Sequence, residues 1–139
     1  MNLASELRLP NRLEETRQIG PWLREFAQRA DLSAAVLSAL DLALVEWVTN
    51  IISYAYLDAV SEHSILIRLK TTPGEACVEV EDDGREFNPL NHPPVDVNVP
   101  LEQRSIGGLG IHMITTVMDA VDYRRADGRN FLTLKKRIG

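Results

Sequence analysis

Apolar residues at helical spacing, Leu44, Val45, Val48, Ile51, Ile52 and Ala55, constrain this chain more than any other feature. They predict a buried helix from about Asp41 to Tyr56, because residues three and four apart share one helical face. Glu46 and Asn50 stand four apart in the same segment. They therefore stack one turn from each other, roughly opposite that stripe, and Tyr54 extends the row. A carboxylate and a carboxamide so placed can hold a metal ion and position a water or hydroxyl. An ordinary amphipathic helix with a solvated polar face carries the same residues, so the rest of the chain must separate the two readings.

Upstream, Ser5 to Leu9 alternates polar and apolar like a short edge strand that Pro10 and Asn11 end. Glu14 to Ala30 reads as helix, with Leu13, Ile19, Trp22, Leu23, Phe26 and Ala27 on one face. Pro21 either kinks that helix or begins it, with Glu14 to Gly20 as a looser lead-in. Asp31 or Ser33 can cap the next helix, with a break possible near Leu40 and Asp41. Downstream, Leu57 to Glu62 is a polar connection. Ser64 to Lys70 and Ala76 to Glu81 then alternate around a turn at Thr72, Pro73 and Gly74, which predicts an antiparallel hairpin. Arg85 to Ile106 has no clear period and holds Pro89, Pro93, Pro94 and Pro100. An irregular run of that length inside a small domain is expected to be a lid or a disordered segment. A helix from Ile111 to Met118 follows, then strands at Ala120 to Arg125 and Asn130 to Arg137 joined at Asp127 and Gly128. This order implies an α+β two-layer sandwich, with helices on one face of a mixed, mostly antiparallel sheet.

With 139 residues, 45% hydrophobic and 25% charged, the chain is sized for one domain, 1–139, of ordinary globular composition. A net charge of -5 argues against non-specific nucleic-acid binding, which needs a basic surface. The single Cys77 cannot form an intramolecular disulfide. No signal-peptide pattern opens the sequence, and no apolar run approaches the roughly 18 residues of a bilayer span. The expectation is a cytoplasmic protein that does not bind a membrane.

Three short motifs fall at element ends: Glu46-x-x-x-Asn50, Asp82-x-Gly84-x-x-Phe87 after a strand, and Gly107-Gly108-Leu109-Gly110 opening a helix. Each alone is weak. Asp and Gly are common turn residues, and a Gly-rich helix start is often only a tight turn, although its free N–H groups can hold phosphate. Their order and placement together are more specific. His63, His92 and His112 show no metal-ligand spacing. Trp22 and Trp47 are expected to pack in the helical layer. Lys135, Lys136 and Arg137 are expected on a sheet edge, keeping it soluble.

These motifs resemble the N, G1 and G2 boxes of the GHKL ATPases, the Bergerat fold of gyrase and the histidine kinases. Over nearly the whole chain the sequence most resembles the anti-sigma factor serine/threonine kinases of the RsbW and SpoIIAB type. The resemblance implies ATP and Mg2+ as cofactors and a lid at about 88–108. It implies Asn50 as the Mg2+ ligand and Glu46 as general base on a protein hydroxyl. Asp82 would accept from the adenine amino group, with Gly84 and Phe87 beside it. Gly107, Gly108, Leu109 and Gly110 would present N–H groups to the phosphates. Arg104 in the lid and Arg17 in the first helix are candidates for phosphate-directed charge. The implied partners are a STAS-domain anti-sigma antagonist that is phosphorylated, a sigma factor that is sequestered, and a second copy in a homodimer.

The sequence departs from that pattern in places. Tyr54 stands where many members have His, and tyrosine is a poor base at neutral pH. The family's Gly-Thr before the last strand is replaced by Asp127-Gly128-Arg129-Asn130, with no threonine before Thr133. The lid carries little Gly or Ser before Gly107. The first two departures favour the alternative of a kinase-inactive GHKL-fold partner-binding module. A third reading is a stand-alone ATPase or histidine-kinase-like fragment, which transfer to histidine would identify.

Overall fold

The computed structural model describes residues 2–56, 63–91 and 108–138. Alternating residues build the strands β1 (Leu3–Pro10), β2 (Ser64–Thr72), β3 (Glu75–Asp82), β4 (Ala120–Ala126) and β5 (Arg129–Arg137). They form one sheet in the order β1-β2-β3-β5-β4, and every pair is antiparallel. Helices α1 (Ile19–Ala30), α2 (Ala34–Asn50) and α3 (Gly108–Val117) make the second layer. The sheet's inward residues, among them Leu9, Ile65, Ile67, Leu69, Val78, Val80, Leu132 and Leu134, are buried against it. Each large side chain buried this way contributes about 1.5–3 kcal/mol. The opposite face is charged: Arg68 Nη1 bonds Glu79 at 2.8 Å and Glu81 at 3.0 Å. Partly exposed pairs of this kind add little stability.

Pro21 falls in the first turn of α1, where its missing N–H costs nothing, and Leu13–Gln18 forms a 3-10 lead-in. Ser33, not Asp31, caps α2: its Oγ accepts from Val36 N at 3.2 Å. Asp31 instead ends α1 in the left-handed conformation, φ 55. No break occurs at Leu40 and Asp41, so the predicted central helix is the second half of one continuous α2.

The buried face of α2 is rotated from the expected stripe. Leu40, Ala43, Leu44, Trp47, Val48 and Ile51 are buried, whereas Val45 and Ile52 are only partly so. The reason is that α2 packs on the sheet, on α1 and on α3, which leaves little of it to solvent. Continued to Ala55, this helix is long and apolar enough to cross a membrane by length and composition alone, contrary to the sequence expectation. In this fold its large apolar residues are the centre of the core.

The last strand is likewise not an edge. β5 lies between β3 and β4, and the edges are β1 and β4. Lys136 turns from the sheet to donate to the Val117 carbonyl at 2.8 Å, closing the C-terminal end of α3. The loop between the two C-terminal strands turns on Asp127 and Gly128, both at positive φ, as a tight hairpin requires.

Candidate functional site

Asn50 is the last residue of α2, and the chain continues from it into a single π-helical turn, Ile51–Ala55. Such turns widen the backbone and free carbonyls for other partners. Here Arg85 takes them: its N donates to the Ala55 carbonyl and its Nε to the Tyr54 carbonyl, both at 2.8 Å. The turn that follows β3 is thereby fastened to the end of α2. Gly84 makes that contact possible, because a Cβ there would sit 2.7 Å from the Ala55 carbonyl oxygen and 2.8 Å from its Cβ.

Glu46 and Asn50 are not on a solvated face. Asn50 is 5% exposed, and its Nδ2 donates to the Glu46 carbonyl at 2.7 Å. Both flank the start of α3: a Cβ on Gly110 would lie 2.7 Å from Glu46 Oε2 and 3.0 Å from Asn50 Nδ2. Glycine at 110 therefore lets the two helices close up and keeps the Glu46 carboxylate beside the N-terminal turn of α3. Gly108 and Leu109 belong to that turn, whose backbone N–H groups have no intrahelical acceptor.

Asp82 ends β3, 1% exposed. Its Oδ1 accepts from Gly84 N and from Asn130 Nδ2, each at 2.9 Å. Its Oδ2 is buried with no hydrogen-bond partner among the described residues. A bare buried carboxylate oxygen is costly and rare. Burial pushes this carboxyl above its ordinary pKa, and the bonds from Asn130 and Gly84 oppose the shift. Phe87 lies flat on Trp47, with ring centres 5.5 Å apart, and edge-on to Tyr54 at 6.5 Å. An aromatic platform thus links the segment after Gly84 to the residue next to Glu46. Tyr54 serves in that packing.

The expected residues Glu46, Asn50 and Gly110 are in mutual contact, and Asp82, Gly84 and Phe87 form a second group docked to the same end of α2. Arg104, Gly107, His92 and most of the lid lie outside the described residues. Arg17 is exposed on the 3-10 lead-in, and no described contact joins it to either group. Among the described residues no cluster of three His, Cys, Asp or Glu could hold a metal. Mg2+ takes few protein oxygens, keeps waters and leans on phosphate. The Oδ1 of Asn50 is the one oxygen this side chain could give it.

Sequence reasoning missed three participants. Asn130 faces Asp82 across the β3–β5 pairing. Arg125 Nη1 donates to the Gly84 carbonyl at 2.7 Å. His63 Nδ1 lies 3.1 Å from Asp83 Oδ1, its ring stacked on Tyr56 at 4.4 Å, while Tyr56 OH donates to the same oxygen at 3.1 Å. Burial alone would raise the Asp83 pKa, yet the bonds from His63 and Tyr56 hold it below the ordinary value.

Residues 9–136 match the family model described as histidine kinase-like ATPase domain. The serine-protein kinase RsbW of Bacillus cereus is 28% identical over 132 residues, 94% of this chain and 82% of that protein. The serine/threonine-protein kinase BtrW of Bordetella bronchiseptica is 30% identical over 113 residues, 81% of this chain and 79% of that one. Among solved structures, the RsbU and RsbW domains of a Mycobacterium tuberculosis protein superpose with a TM-score of 0.70 at 17% identity, covering 98% of this chain and 32% of that chain. This chain therefore spans about a third of that structure's length. The SiaB–SiaC complex of Pseudomonas aeruginosa gives a TM-score of 0.60 at 18% identity, covering 96% of this chain and 89% of that chain. These structural likenesses concern the fold.

Proposed function

The chain belongs to the histidine kinase-like ATPase domain family, alongside the serine/threonine-protein kinases RsbW and BtrW, and from that premise we propose that it transfers the γ-phosphoryl group of ATP to a serine or threonine of a partner protein. The observation that carries this reading is the buried, unpartnered Oδ2 of Asp82. An acceptor held dry at a strand end, with no donor among the described residues, suits the 6-amino group of adenine.

The remaining residues divide the work by position. Gly84 and Phe87 border the base. The N-terminal turn of α3, from Gly108 to Gly110, offers N–H groups to the phosphates, and Gly107 and Arg104 are carried over as phosphate-binding residues from the family resemblance alone. Asn50 would hold Mg2+ through its side-chain oxygen, and the ion would supply positive charge against the phosphates. Glu46, against Gly110, takes the proton from the incoming hydroxyl. That oxygen bonds to the γ-phosphorus as the bond to the β-phosphate oxygen breaks, and ADP leaves. We further infer a single domain over 1–139, a cytoplasmic location and, as substrate, a STAS-domain anti-sigma antagonist. A sigma factor held until the unmodified antagonist displaces it, and a homodimer, belong to the same reading. The new dianion on the antagonist would repel neighbouring acidic groups and weaken that competitor.

Incubation with labelled ATP and a STAS-domain partner tests the assignment. Acid-stable label on serine or threonine is the expected result. Tight partner binding with no label would support the module without chemistry, and acid-labile label would point to histidine.

A further inference from the structure

Asn130 is 1% exposed, and its side-chain amide is hydrogen-bonded at both ends. Its Nδ2 donates to Asp82 Oδ1 at 2.9 Å and to the Arg85 carbonyl at 2.8 Å. Its Oδ1 accepts from Arg125 Nη1 at 3.1 Å, from Phe87 N at 3.4 Å and from the Tyr123 hydroxyl. A guanidinium and a backbone N–H can only donate, while a carboxylate and a carbonyl can only accept. One amide orientation satisfies all of them. An aspartate would lack the donors, and a serine or threonine hydroxyl would lack the number.

Building on the nucleotide reading above, we propose that Asn130 is a positioning residue that sets base specificity: by occupying Oδ1 of Asp82, it leaves the bare Oδ2 as the acceptor offered to the base and so selects 6-amino over 6-oxo purines. The same amide ties Asp82 to the Phe87 platform through Phe87 N and to β4 through Arg125 and Tyr123. The carboxyl is then fixed in position, and the bond from Asn130 opposes the upward pull of burial on its pKa. Asp83 adds negative charge beside Asp82 and Arg125 adds positive charge from β4, while Tyr56 and Tyr123 lie within reach of the charge on Asp82. Of these groups only Asn130 donates a side-chain hydrogen bond to it. Removing that donor favours the protonated acid, which donates where the carboxylate accepted. A protonated Asp82 would reject a 6-amino group and accept a 6-oxo group.

The test is titration of ADP and inosine diphosphate across pH, on wild type, Asn130→Ala and Tyr123→Phe. Asn130→Ala is expected to lose about tenfold or more in ADP affinity and to narrow the preference for ADP over inosine diphosphate. As pH falls, its ADP binding should fail at a higher pH than that of wild type. Tyr123→Phe, which keeps the Asp82 contact and removes one support of the amide, should move the same quantities less. It decides the matter if Asn130→Ala does not fold. An equal loss for both nucleotides with an unmoved acid limb would overturn the inference while leaving the nucleotide reading intact. Wild type that binds neither nucleotide would overturn the nucleotide reading first and this inference with it.

Discussion

Glu46→Gln is expected to cut phosphotransfer by about 10²–10⁴-fold, the usual worth of a positioned general base, while ATP affinity stays near that of wild type. Glutamine keeps the shape and an acceptor oxygen but cannot take a proton at neutral pH. The geometry explains why binding should survive. Glu46 borders the site through Oε2, the atom nearest to where a Gly110 side chain would begin. Asn50 instead binds the Glu46 backbone carbonyl, which the substitution does not touch. Nucleotide calorimetry and initial transfer rates, measured on one preparation, separate the two effects. A retained transfer rate would assign the base to another residue.

Asp82→Asn is expected to weaken adenine nucleotides by at least about tenfold, because it turns the buried acceptor Oδ2 into a donor facing the base amino group. The fold should not weaken with it. The Asp82 pKa is raised in the folded protein, chiefly by burial. Its contribution to stability is therefore fully present below the ordinary carboxylate range and is lost as pH rises through the raised value. At neutral pH the free variant should melt no lower than wild type, because no charge remains to be buried. Unchanged ATP affinity would mean the base lies elsewhere, and a collapse of the melting temperature would mean Asp82 is mainly structural.

Much of this architecture is legible in the sequence because period reports burial directly. The β2–β3 hairpin and the paired C-terminal strands follow from alternation, and the α2 stripe from the 3.6-residue repeat. Glu46, Asn50, Asp82 and Gly110 of the candidate site were picked out by motif spacing. Other features depend on packing that no local pattern records. Asn50 was expected on a polar face, but α3 covers that shoulder of α2 and buries it. Lys136 was expected on an edge, but strand order is set by which strands pair, and β5 pairs on both sides. Asn130 read as a turn residue where the family's threonine was missing. Its position opposite Asp82 exists only once β3 and β5 are in register. The π-helical turn that presents carbonyls to Arg85 has no periodic signature at five residues. A preference for Asn in an Asp-Gly-Arg-Asn turn is common enough to conceal a role in the core.

The measurement that bears most directly on the central claim is ATP titration by calorimetry, with and without Mg2+, on wild type and Asn50→Ala. Binding to wild type that Mg2+ strengthens is expected, with loss of that strengthening in the variant, whose side chain no longer offers an oxygen to the ion. Absence of binding to wild type at millimolar ATP would contradict it, as would Mg2+-strengthened binding that persists undiminished in Asn50→Ala.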